Sequence, residues 1–180
     1  TNSINNYWIS KKELLKGIPD NFIESAKQKA IQMKKKDQWC FSLDTDSMVI
    51  MKFCDSCEVR KDVLIKTSTK CNGGKYDNTE ILQKISKLRH DKANLLGYDT
   101  HADYTLDRRM AKNKKTVYNF IESLLGPSLA AGKKELDEIK TFTKKHYNVN
   151  NVESFDLWYY AQKYKEYKFD FNEEVLRPYF

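Results

Sequence analysis

The segment from Asn78 to Ala111 constrains the fold most strongly, because it carries a long helical pattern that stops at a glycine. Asn78 is a favourable N-cap residue, and Gly97 is a favourable residue for ending a helix. Apolar residues recur at helical spacing between them, namely Ile81, Leu82, Ile85, Leu88, Leu95 and Leu96, with Ala93 beside this stripe. Asp99 or Thr100 then caps a second helix towards Ala111. Its predicted buried face contains Ala102, Tyr104, Leu106 and Met110.

The rest of the chain also favours helices. Only 3 prolines and 6 glycines occur among 180 residues, which argues against a turn-rich β fold. Helices are predicted from Pro19, from Asp46 or Ser47, from about Cys57, over 114–146 and over 155–167. Within the long helical region, Pro127 removes a backbone donor and predicts a kink or a break.

One short strand and several turns complete the expected architecture. Residues 39–43 alternate between larger apolar and smaller side chains, as in a strand. Residues 71–76 and 147–152 are predicted connections, and 173–180 a short terminal turn. The expected fold is therefore mostly α, a multi-helix lobe with at most one short strand.

Length, charge and hydropathy restrict the class of protein. We expect residues 1–180 to form a single helical region, which fits one domain or one lobe of a larger protein. The net charge of +7 raises affinity for polyanions, yet lysines alternate with acids and the densest run is Lys34–Lys36. A solvated surface is therefore favoured over a nucleic-acid-binding face.

Two further features concern location and completeness. No apolar stretch approaches the roughly 20 residues of a membrane helix, and the first residues do not resemble a secretory leader. A cytoplasmic protein without a membrane partner is expected. Because the chain begins with Thr1, we expect it to be an excised piece of a longer protein.

The sequence singles out no catalytic or metal-binding residue, and it leaves substrate-binding residues unknown. The histidines His90, His101 and His146 are not spaced as a zinc-binding His-Glu-x-x-His helix. Cys54 and Cys57 form one CxxC pair, and the other cysteines are distant. The four thiols therefore either behave as small apolar groups or converge on a metal, and the first interpretation is favoured.

Aromatic residues are dense near the C-terminus, at Phe155, Trp158, Tyr159, Tyr160, Tyr164, Tyr167, Phe169 and Phe171. At helical spacing such a set is typical of a core. Two alternatives are a peptide-binding wall and, because lysines are interleaved, a surface that stacks nucleic-acid bases.

Several motifs, in order, resemble those of the thimet oligopeptidase and dipeptidyl carboxypeptidase family of zinc metallopeptidases. They are LLKGIPDNFI (14–23), WCFSLD (39–44), GGKYDNTEIL (73–82), LR (88–89), A-x-LLGY (93–98), HADYTL (101–106), MAK (110–112), FDLWYY (155–160) and LRPYF (176–180). The glycine-glycine-x-tyrosine-aspartate-asparagine version resembles the dipeptidyl carboxypeptidase branch. Phe155 stands where the family has a tryptophan.

This resemblance implies a parent enzyme with two helical lobes around a narrow channel that admits short peptides. It also implies that the zinc ligands lie downstream of the LRPYF segment. The chain then corresponds to an interior, channel-wall piece that lacks the zinc-binding helix. Zinc is expected in the parent enzyme and not in this chain, which is expected to be inactive alone and prone to self-association. The alternatives are a non-catalytic helical binding module and a basic nucleic-acid-binding domain.

Overall fold

Helices dominate the computed structural model, which describes residues 5–169, so the expectation of a mostly α fold is confirmed. The helices are α1 (Asp20–Gln32), α2 (Ser47–Phe53), α3 (Cys57–Ser68), α4 (Thr79–Leu95), α5 (His101–Leu106), α6 (Lys114–Tyr147) and α7 (Leu157–Phe169). Short 3-10 turns lie at Lys12–Leu15 and Gly74–Tyr76. The predicted terminal turn at 173–180 and Phe171 lie outside the described residues.

Contacts divide the chain into two compact units. Of the described residues, 5–70 and 138–169 form the first unit, and 71–137 form the second. Helix α6 contributes residues to both, because the boundary falls between Asp137 and Glu138.

Within residues 5–169 the first unit contains two strands, whereas the sequence predicted at most one. The predicted strand is present as β2 (Trp39–Ser42), and it pairs antiparallel with β1 (Asn6–Ile9). Strand β1 was missed because only Tyr7 and Ile9 face the core, too short an alternation to predict a strand. The sheet packs on α1 and places Phe41, which is fully buried, in the core.

Most predicted helix ends match the structure, and the exception is the residue that caps the start of α4. Helix α4 ends in a Schellman motif: Gly97 has a φ of +83°, and the Tyr98 amide donates to the Ala93 carbonyl at 2.9 Å. Thr100 caps α5 by accepting from the Asp103 amide. At the start of α4, however, the Asp77 carboxylate accepts from the Thr79 amide, and Asn78 provides no side-chain cap.

The predicted burial of Met110 and Ala102 was wrong. Met110 is 98% exposed, because α5 ends at Leu106 and does not continue towards Ala111. Ala102, inside α5, is exposed as well. Of the kink or break predicted at Pro127, the break is absent, because α6 is one helix of 34 residues with Pro127 inside it. The apolar stripe of α4 is present, but of its predicted members only Ala93 is buried. The spacing of apolar residues identifies the apolar face of a helix, but it does not identify the element that covers that face.

Candidate functional site

The FDLWYY segment anchors the start of α7 to the turn between α2 and α3. Asp156 Oδ1 accepts from Arg60 Nε at 3.0 Å and from Arg60 Nη2 at 2.5 Å. The same guanidinium donates through Nη1 to the Cys54 carbonyl at 2.5 Å. Both side chains are nearly inaccessible, with 3% of Arg60 and 11% of Asp156 exposed. A buried charge pair with additional hydrogen bonds is a structural clamp.

The two tyrosines of this segment complete the same anchor. The Tyr159 hydroxyl donates to Asp55 Oδ1 at 2.9 Å, and the Arg60 guanidinium lies 4.2 Å from the centre of the Tyr159 ring. Tyr160 is buried beside it and makes an edge-on contact with Tyr147. The core interpretation is therefore confirmed for Tyr159 and Tyr160, which leave no face open for a peptide.

Stability at high pH is expected to depend on Tyr159. Burial, reinforced by the hydrogen bond to Asp55, raises the pKa of Tyr159 well above its ordinary value of about 10. Above about pH 10 the Tyr159 hydroxyl loses its proton in the unfolded chain but keeps it in the folded chain. The free energy of unfolding therefore falls as the pH rises through this range. Tyr159→Phe should make the decline between about pH 10 and 11 shallower, by up to about 1.4 kcal/mol per pH unit. Urea unfolding at several pH values measures this slope; parallel curves for the two proteins would contradict the expectation.

The remaining aromatic residues of the set have mixed surroundings. Phe155 packs at the edge of the core, and the Tyr164 hydroxyl donates to Glu138 at 2.7 Å. Trp158, Tyr167 and Phe169 are about half or more exposed. The core interpretation thus holds for part of the aromatic set, and Trp158, Tyr167 and Phe169 lie largely at the surface.

The three histidines lie in different settings. His146 lies between the rings of Phe142 and Tyr167, at 4.8 and 4.7 Å. His90 Nε2 contacts the Asn94 carboxamide at 3.0 Å. His101 approaches Thr105 only at 3.5 Å through Nε2, and its buried Nδ1 has no hydrogen-bond partner among residues 5–169.

A groove within the second unit brings His90 and His101 to one cavity. This α4–α5 groove has a volume of about 410 Å³. It is lined by Leu82, Ile85, Ser86, Arg89, His90, Thr100, His101 and Ala102. Apolar side chains thus lie next to a guanidinium and two imidazoles, a mixture that suits a ligand with both apolar and anionic parts.

Sequence reasoning missed the two arginines that matter most here. Arg60 had a signal, since it follows Val59 and precedes Val63 on the buried face of α3. Arg89 also had one, because it lies four residues after Ile85 and seven after Leu82, on the same helical stripe.

The cysteines are free thiols in separate settings. Cys40 and Cys54 are buried, Cys57 is exposed and Cys71 is half-buried. Across the described part of the chain, no three His, Cys, Asp or Glu side chains come together as metal ligands. The interpretation of buried cysteines as small apolar groups therefore fits Cys40 and Cys54.

The basic surface is interleaved with acids. Lys66, Lys87 and Lys114 pair with Asp62, Asp91 and Asp103, at 2.7 to 3.0 Å. Such alternation is typical of a solvated helical surface. No helix between residues 5 and 169 is both long enough and apolar enough to cross a bilayer.

The chain is similar to known oligopeptidases along almost its whole length. Residues 50–180 match the model of peptidase family M3. The chain is 32% identical to oligopeptidase A of Salmonella typhimurium over 178 residues, covering 96% of this chain and 26% of that protein. For oligopeptidase A of Escherichia coli K12 the identity is 32%, with 92% and 25% covered. For saccharolysin of Saccharomyces cerevisiae it is 31%, with 94% and 24% covered.

The chain thus spans about a quarter of the length of the curated relatives it matches. The family model alone accounts for well over half of its residues. As its resemblance to thimet oligopeptidases predicted, the chain belongs to peptidase family M3.

Proposed function

We propose that this chain is the channel-wall segment of a zinc metallopeptidase that hydrolyses short peptides, and that it is inactive alone. The α4–α5 groove carries this proposal, because it combines apolar side chains with cationic and imidazole groups on a helical surface. An extended peptide has both apolar and polar parts, so a wall with both kinds of group suits it. The oligopeptidase names of its relatives support the same substrate class.

Zinc is part of this proposal because of the family resemblance, and no described residue of this chain is proposed to bind it. Family zinc is held by histidine and carboxylate ligands. The described residues present no such group of three, and His90, His101 and His146 make other contacts. No step of peptide hydrolysis is therefore assigned to a residue between 5 and 169.

Self-association of the isolated chain is part of the proposal. The second unit exposes many large apolar side chains, including Leu88, Leu95, Phe120, Ile121, Leu125 and Leu129, each at least half exposed. Exposed apolar surface of this extent favours association. We propose short peptides as the ligands, a cytosolic location, and no nucleic-acid or membrane partner.

Metal content and peptide cleavage test the proposal together. The purified 180-residue chain should contain no stoichiometric zinc and should not cleave a quenched fluorescent nonapeptide. A protein of the relatives' length that includes this chain should cleave the same peptide and lose that activity with a chelator. Mass spectrometry of the products distinguishes internal cleavage from release of C-terminal dipeptides.

Each of these measurements has an outcome that contradicts the proposal. Zinc or cleavage in the isolated chain would show that it is not an inactive wall. Peptide binding without cleavage by the longer protein would favour the non-catalytic binding module instead. Steeply salt-dependent binding of single-stranded RNA would favour the nucleic-acid alternative.

A further inference from the structure

The loop between α3 and α4 contains the only asparagine of the sequence that is followed by glycine, at Asn72–Gly73. The amide nitrogen of a residue can attack the carboxamide of a preceding asparagine and close a succinimide ring. Glycine allows this attack most readily, because it has no side chain to hinder its nitrogen. The connection predicted over residues 71–76 therefore contains a reactive dipeptide.

The structure leaves this dipeptide open. Asn72 and Gly73 are both exposed, and the Asn72 carboxamide makes no hydrogen bond with another described residue. Gly73 has a φ of +86°, and a Cβ built on it would meet nothing within 4 Å. A loop with so few contacts can change its conformation without unfolding the helices beside it. The described part of the chain therefore does not block the approach of the Gly73 nitrogen to the Asn72 side chain.

We propose that Asn72 is a site of spontaneous deamidation, which converts it to a mixture of aspartate and isoaspartate. The Gly73 amide releases its proton to solvent, and its nitrogen bonds to Cγ of Asn72. The bond between Cγ and the carboxamide nitrogen breaks, and that nitrogen leaves as ammonia after taking a proton from solvent. Water then opens the succinimide at either carbonyl, which gives the two products. Water is the only co-reactant, and no other protein is needed.

The products change both the charge and the backbone of the loop. A carboxylate at position 72 lowers the net charge of +7 by one, and isoaspartate adds a methylene to the backbone between Cys71 and Gly73. Hydrogen bonds from the Thr79 hydroxyl and amide, and then from the Gly73 amide, hold the pKa of the Asp77 carboxyl below its usual range.

The new carboxylate therefore forms close to one that is already ionised, and like charges repel. Asp77 also caps the start of α4, where it accepts from the Thr79 amide at 2.9 Å. Repulsion between positions 72 and 77 should weaken this cap, so deamidation should loosen the first turn of α4. This inference is independent of the proposed function, because it requires neither a peptide nor a metal.

Peptide mapping of the 180-residue chain tests the proposal after incubation in mildly alkaline buffer at physiological temperature. Trypsin cleaves after Lys70 and Lys75, so it releases residues 71–75 as a single peptide. The mass of this peptide shows the conversion of amide to acid, and electron-transfer fragmentation distinguishes isoaspartate from aspartate. Conversion should be slower in mildly acidic buffer, because the attacking nitrogen must lose its proton.

Two controls identify the site. Asn72→Gln should abolish the conversion, since the longer glutamine side chain does not form a succinimide. Asn150 is the matched residue within the same chain, because it is exposed but is followed by Asn151 and not by glycine. It should still be an amide when most of Asn72 has been converted.

A synthetic peptide of residues 70–76 measures the same reaction without the fold. If this peptide converts while Asn72 in the folded chain stays an amide, the fold protects the site and the inference is wrong. Similar conversion at Asn72 and Asn150 would also overturn it. Hydrogen exchange should show weaker protection of the Thr79 amide in the aged chain than in the fresh one. Unchanged protection would overturn the expected effect on the cap of α4.

Discussion

Asp156→Ala is expected to destabilise the first unit by about 3–5 kcal/mol. The substitution leaves Arg60 buried, with 3% of its side chain exposed, without the carboxylate that neutralises it. Truncating one partner of a buried pair costs more than the pair contributes, because the remaining charge cannot recover its water. All three tryptophans (Trp8, Trp39 and Trp158) lie in the first unit, so tryptophan fluorescence during urea unfolding reports on that unit.

Two controls give this prediction its specificity. Lys70→Ala breaks an exposed pair with Asp44 in the same unit and should cost less than about 1 kcal/mol. Replacing both members of the buried pair, with Arg60→Met and Asp156→Leu, should cost less stability than Asp156→Ala, because no buried charge is left without a partner. A loss of less than 1 kcal/mol in Asp156→Ala would show that the clamp contributes little.

Gly17→Ala is expected to cost about 3 kcal/mol or more. Gly17 has a φ of +88°, a conformation that disfavours every residue with a Cβ. A Cβ at this position would also overlap the Phe53 carbonyl oxygen and lie 2.7 Å from Asp55 Oδ1. The backbone must move to make room, and that movement would disturb the hydrogen bond from the Asp55 amide to the Lys16 carbonyl.

Gly132→Ala is the matched control for this substitution. Gly132 lies inside α6, and a Cβ there meets nothing within 4 Å. Alanine is the better helix former, so this change should stabilise the protein by about 0.5–1 kcal/mol. Urea midpoints for the two alanine variants should therefore shift in opposite directions. Similar shifts would mean that Gly17 is not under steric constraint.

Local signals in the sequence predicted most helix boundaries, because capping chemistry involves residues close in sequence. As predicted, α2 begins at Ser47, α3 begins at Cys57, and α4 ends next to Gly97. Strand β1 was not predictable in the same way, since its pairing with β2 joins residues 30 to 36 positions apart. The exposed stripe of α4 shows the same limit: periodicity reveals an apolar face but not its partner.

For the candidate site, the sequence identified the right segment and left its role open. FDLWYY stood out by composition, yet its anchoring role depends on Arg60, whose contact with Asp156 spans 96 residues. The groove was not predicted, because only the fold brings Arg89 and His101 to the same cavity. Long-range pairing of this kind leaves no local pattern in a single sequence.

The same clamp sets an order for folding during synthesis. Arg60 leaves the ribosome 96 residues before Asp156, and the whole second unit emerges in the interval. At roughly 5–20 residues per second, this delay lasts about 5–20 s. During that time the nascent N-terminal part carries a guanidinium without its carboxylate and an incomplete core. The first unit can therefore complete its core and its buried ion pair only after the second has been translated.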